Sequence, residues 1–81
     1  MISDTDKSRL HVGFKQVMRA LEENKARHIY VAGDCEAKIS DPLKELCSAK
    51  HVEYYIVETM SELGRMCGIE VKASCAVVLA E

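Results

Sequence analysis

Eighty-one residues, 48% of them hydrophobic and 30% charged, allow one small domain over 1–81 and exclude a cofactor domain joined to a substrate domain. Eleven Lys/Arg against thirteen Asp/Glu give a net charge of −2, which excludes a protein that grips nucleic acid through bulk positive charge. No apolar run approaches the roughly 20 residues that span a bilayer, and the acidic start Met1-Ile-Ser-Asp-Thr-Asp6 lacks the regions of a secretory signal, so a cytoplasmic protein without a membrane partner is expected.

The elements follow in chain order. Ser3 with Asp6 forms a capping pair for a short helix near 4–9. Phe14, Val17, Met18 and Leu21 recur at i, i+3, i+4 and i+7, which predicts a helix with Lys15, Gln16, Arg19, Glu22 and Glu23 facing away. Gly13 stands at its mouth, where a bare backbone permits close approach. Ile29–Ala32 reads as a strand closed by Gly33-Asp34. Asp41-Pro42 predicts a helix start, Asp as N-cap and Pro at the first helical position, with Leu43, Leu46 and Cys47 as its stripe and an end near Lys50.

Val52–Val57 is β-branched and aromatic, a second strand. Thr59 with Glu62 makes a capping box ahead of Leu63, Met66 and Cys67, and Gly68 suits the position after a helix end. Ile69–Ala73 reads as a loop. Cys75–Ala80 is apolar throughout, as a strand buried on both faces should be. Strands alternating with helices predict an α/β fold: a three-layer α/β/α sandwich around a small mixed, largely parallel sheet.

Catalysis and cofactors find little footing. His11, His28 and His51 are scattered, and no glycine-rich phosphate loop is present. Cys47 and His51 are four apart, but nothing nearby completes a metal-ligand set. Asp34, Glu36 and Asp41 cluster at a strand end, where loop solvation and capping account for them better than acid–base work. Cys35, Cys47, Cys67 and Cys75 form no CxxC pair and read as reduced, packed thiols. A non-enzymatic protein without cofactor or metal is expected.

The segment from Gly13 to Arg19 is more informative. A helix N-terminus offers free N–H groups and a positive dipole end to an anion. Lys15 and Arg19 can donate to base edges or phosphates, and Gln16 can donate and accept. A cation in the first turn works mildly against the helix dipole, which invites a functional reason, although on this ground alone a solvated face accounts for these residues better.

Gly13-Phe-Lys-Gln16, Ile29-Tyr-Val-Ala-Gly-Asp34 and Leu63-Gly-Arg-Met-Cys-Gly-Ile-Glu-Val71 together resemble the kink-turn-binding ribosomal protein family. That family includes the archaeal large-subunit "seven-Ae" protein, the eukaryotic "thirty-e" protein and short stand-alone bacterial homologues. The resemblance spans about Val12 to Leu79, and the stretch from Leu63 is its most specific part. It implies an α/β/α sandwich that binds RNA kink-turns, internal loops with tandem sheared G·A pairs and a sharp backbone bend. Carried over, Lys15 and Gln16 meet guanines, Arg19 meets phosphates, and the Gly13 backbone allows close approach. Gly33 and Asp34 fall at the strand end facing the RNA. Ile69, Glu70 and Val71 form the loop against the extruded nucleotide, with Lys72 beside it.

Archaeal and eukaryotic members usually carry Asn-Glu where this chain has Lys15-Gln16, as the bacterial type tends to. Glu36 and Glu70 bring negative charge near the implied surface. The resemblance implies RNA as partner, with the ribosome as one setting for it, and a monomer when free. A protein–protein interaction module on the same fold is the alternative, suited by seven acids against three bases between Asp34 and Glu62.

Overall fold

The computed structural model describes residues 8–80. Its elements are β1 (Leu10–Val12), α1 (Phe14–Glu22), β2 (Ala26–Ala32), α2 (Ala37–Lys50), β3 (Glu53–Val57), α3 (Met60–Met66) and β4 (Cys75–Leu79). The sheet order is β1-β4-β2-β3.

Side-chain alternation divides the interior into two layers of core. Ile29 and Val31 of β2 and Cys75 and Val77 of β4 face α1 and α2, where Val17, Leu21, Leu43 and Cys47 are fully buried. Tyr30, Ala32, Ala76 and Val78 face the other way, toward Leu63 of α3. Burying each such Leu or Val contributes about 1.5–3 kcal/mol. The three-layer α/β/α arrangement is therefore present. Every residue of β4 from Cys75 to Val78 is buried because both sheet faces are covered there.

The share of parallel pairing is smaller than the alternation of elements suggests. Only β2 and β3 run parallel; β4 is antiparallel to both β1 and β2. The reason lies in the connection from β3. The N–H of Ala73 donates to the Met60 carbonyl at 3.1 Å, so the chain returns to the start of α3 before β4 begins. A crossover that returned to the opposite end of the sheet would have made β4 parallel.

Three further differences have local causes. The short helix expected near 4–9 lies mostly outside the described residues; Ser8 and Arg9 form a turn into β1. β1 itself has no counterpart in the sequence pattern, since a three-residue segment carries no usable periodicity. α2 begins at Ala37 with Glu36 as N-cap, which corrects the start expected at Asp41-Pro42. Pro42 lies inside the helix and costs it the bond to the Lys38 carbonyl. Ile39 packs against the same core as Leu43, Leu46 and Cys47, and that stripe extends the helix a turn earlier.

α3, with seven residues, is too short to persist without support. Thr59 Oγ1 accepts from the Glu62 N–H at 3.0 Å, as the capping box predicts. Asp34 Oδ1 accepts from the Met60 N–H at 2.8 Å, a second cap supplied from the end of β2. Thr59→Ala should lower unfolding stability by about 1 kcal/mol in a denaturant titration, the usual value of one N-cap bond.

Candidate functional site

One end of the sheet gathers three segments that are far apart in sequence. The Gly13 N–H donates to the Cys75 carbonyl at 3.1 Å, fixing the start of α1 beside the start of β4. The Ala32 N–H donates to the Ser74 carbonyl at 2.9 Å, and the Gly33 N–H to the Val57 carbonyl at 2.7 Å. The start of α1, the end of β2 and the loop entering β4 therefore share one edge of the molecule.

Gly13 is the N-cap of α1 with φ 115° and ψ 152°, a region that L side chains rarely enter. It has no side chain with which to cap, and the first turn contains no acid. The first N–H groups of α1 thus point outward with the positive end of the dipole. Lys15, Gln16 and Arg19 are all exposed. Neither Lys15 nor Arg19 has an ion-pair partner among the described residues. Gln16 and Arg19 border a groove of about 190 Å³ together with His11 of β1, Glu23 and Lys25, the last two paired at 3.4 Å. His11 extends this surface beyond the residues expected from sequence; only the presence of β1 places His11 beside α1.

The loop after α3 is built by its glycines. The Gly68 N–H donates to the Arg65 carbonyl at 3.0 Å and the Ile69 N–H to the Gly64 carbonyl at 3.1 Å, the paired bonds of a Schellman ending. Gly68 has φ 77°, which makes it the left-handed residue that motif requires. Ile69 then packs into the core around Leu63. At Gly64 a Cβ would run into the Val71 carbonyl, so the loop backbone lies directly on α3. The outcome is an anchored loop that holds Val71 out, 69% exposed.

Glu70, Val71 and Lys72 border a depression of about 380 Å³ with Arg65 of α3. Arg65 is a second cation beside Lys72, absent from the sequence expectation because so short a segment does not reveal which helix face it occupies. Gly33 is exposed at the strand end as expected. Asp34 is exposed too, but one carboxylate oxygen is committed to α3, so its evident task is to hold that helix. Glu36 is paired with Lys38 at 3.1 Å, which offsets its charge.

The remaining candidates do not converge. Cys47 is buried in the core, whereas His51 sits exposed at the left-handed end of α2. Among the described residues no cluster of His, Cys, Asp and Glu is arranged to hold a metal. Burial pushes the Cys47, Cys67 and Cys75 thiols above the ordinary thiol value, so they remain protonated at neutral pH. Among the described residues no helix is long and apolar enough to cross a membrane.

Comparison with known proteins gives this geometry relatives. The sequence model of the ribosomal protein L7Ae/L30e/S12e/Gadd45 family matches residues 3–81. The RNA-binding protein TTE2299 of Caldanaerobacter subterraneus subsp. tengcongensis is 42% identical over 65 residues, covering 80% of this chain and 79% of that one. The large ribosomal subunit protein eL8 of Halobacterium salinarum is 36% identical over 69 residues, 84% of this chain and 58% of that protein. The fold is similar to that of the Giardia lamblia 15.5kD RNA binding protein, with a TM-score of 0.84 at 23% identity over 91% of this chain and 62% of the other.

Proposed function

This chain belongs to the ribosomal protein L7Ae/L30e/S12e/Gadd45 family, and on that footing we propose that it binds RNA, recognises kink-turns and stabilises their bent form. The reading needs no reaction and no cofactor. The observation that supports it best is the convergence of the uncapped start of α1 with the loop carrying Val71 at one end of the sheet.

The physical logic is one of shape. Regular A-form RNA hides its major-groove edges in a deep, narrow groove that side chains cannot enter. A kink opens that groove, and a helix end with a bare glycine can then approach. Lys15 would donate to guanine O6 or N7, and Gln16 would donate and accept at a base edge. Arg19, with His11 beside it, would track the phosphate backbone. Val71 and Ile69 offer an apolar support for a nucleotide thrown out of the stack, with Lys72 and Arg65 offsetting Glu70. Gly33 gives backbone access at the strand end, and Asp34 keeps α3 and its loop in register with it.

Chemical-shift mapping with a short kink-turn RNA tests the assignment. Perturbations should concentrate at residues 13–19, 33–34 and 69–73. A map centred on α2 or β3 would displace these residues from the interface even if RNA were bound.

A further inference from the structure

Four large hydrophobic side chains stand exposed among the described residues. One is Val71, in the loop assigned to RNA. The others are Tyr54, Tyr55 and Ile56, consecutive on β3 and 38%, 46% and 54% exposed. β3 is an edge strand, and no described strand pairs with its outer side. Natural edges are blunted by charged side chains, lysine above all, by proline, by a bulge or by shortness. β3, Glu53-Tyr-Tyr-Ile-Val57, is short and has Glu53 as its one charged residue, with no lysine, proline or bulge over its other four positions.

The two faces of this edge differ in chemistry. Tyr54 and Ile56 stand opposite Ile29 and Val31, on the face that α1 and α2 cover, and present apolar surface. Tyr55 stands opposite Tyr30 on the α3 face. There the short α3 leaves an open cavity of about 590 Å³. His28, Tyr30 and Tyr55 form an aromatic cluster in it, with ring centroids 5.4 to 5.7 Å apart. His28 Nε2 is buried there without a hydrogen-bond partner. The cavity is bordered by the carboxylates of Glu58 and Glu62. At its edge Glu53 accepts a hydrogen bond from the Tyr55 hydroxyl at 2.8 Å, and that bond holds the Tyr55 phenol above its ordinary pKa.

We infer that the β3 edge docks an extended protein segment in which apolar and basic residues alternate. Main-chain pairing would extend the sheet by one strand. Alternate side chains would then fall on opposite faces, apolar ones on Tyr54 and Ile56 and cationic ones over the Tyr30–Tyr55 rings between the carboxylates. Charge selects this occupant. Aromatic rings on a sheet could also stack nucleotides, but Glu53, Glu58 and Glu62 repel phosphate. A second copy of this chain would bring the same acids against them. Tyr54 and Tyr55 lie outside the proposed RNA surface, whereas Ile56 and Glu58 adjoin its Gly33.

The test uses the full chain, isotope-labelled, and two nine-residue peptides, one alternating arginine with valine and one alternating glutamate with valine. The arginine peptide should produce saturable shifts at residues 53–58 and in the Tyr30 and Tyr55 rings. Tyr55→Ala should weaken it at least tenfold and leave kink-turn affinity unchanged. Equal binding of both peptides, no saturable shift with either, or shifts confined to 13–19 would overturn the proposal. So would saturable shifts of β3 by oligouridine, or a concentration-dependent dimer in sedimentation that Ile56→Lys dissolves, since the edge would then serve RNA or a second copy.

Discussion

Replacing Lys15 and Gln16 with alanine should cost roughly 1–3 kcal/mol of kink-turn affinity for each base contact these side chains make. Both side chains are exposed, so almost none of that cost should appear as unfolding. The fold should even gain slightly. Removing a cation from the first turn relieves an unfavourable interaction with the dipole, and alanine is the best helix former. Affinity measured by titration and stability measured by denaturation should therefore move in opposite directions. If both fell together, the residues would be part of the fold and their assignment to the RNA would fail.

Gly64→Ala should destabilise the protein by about 1–3 kcal/mol, the range for overpacking against an unyielding neighbour. Helix propensity alone predicts the reverse, a gain of about 0.8–1.0 kcal/mol for alanine over glycine. The sign is decided by the atom in the way. It is the Val71 backbone carbonyl, not the tip of a flexible side chain, and the Lys72 Cα lies close behind at 3.4 Å. The loop has to lift from α3, and its bond from the Ile69 N–H to the Gly64 carbonyl has to strain with it. Val71 would then leave its presented position, so RNA affinity should fall as well. A stabilised Gly64→Ala variant with unchanged RNA binding would show that the loop does not rest on this helix.

These two substitutions mark where the sequence is legible and where it is not. The α1 stripe is readable because four apolar positions repeat at helical spacing. The Thr59 cap and the Gly68 ending are readable because each rests on a local bond within a few residues. The start of α2 is misleading because Asp41-Pro42 is a local signal, and burial of Ile39 against the core overrides it. Asp34 falls at the strand end as expected, but its bond to Met60 joins residues 26 apart, which no motif reveals. Gly64 stands inside the most specific stretch of the sequence, yet its reason, close approach of Val71, becomes visible only once the loop is folded back.

The net charge takes its proper meaning from the same geometry. Residues 1–28 carry six Lys/Arg and four Asp/Glu, and residues 34–62 three and seven. The first group includes α1 and β1, and the second includes β3 with its acidic cavity. The total of −2 is thus the sum of a mildly basic stretch and an acidic one. In the proposed complex it would limit the strength with which phosphates are held, while leaving recognition of the RNA shape to a few side chains.

That recognition is the central claim, and one titration addresses it directly. The protein is titrated at fixed salt with a kink-turn RNA and with the same RNA after its tandem sheared G·A pairs are replaced by Watson–Crick pairs. Binding to the kink-turn should be tighter by on the order of a hundredfold or more, as expected when base and shape contacts add to phosphate attraction. Equal affinity for the two RNAs would contradict it.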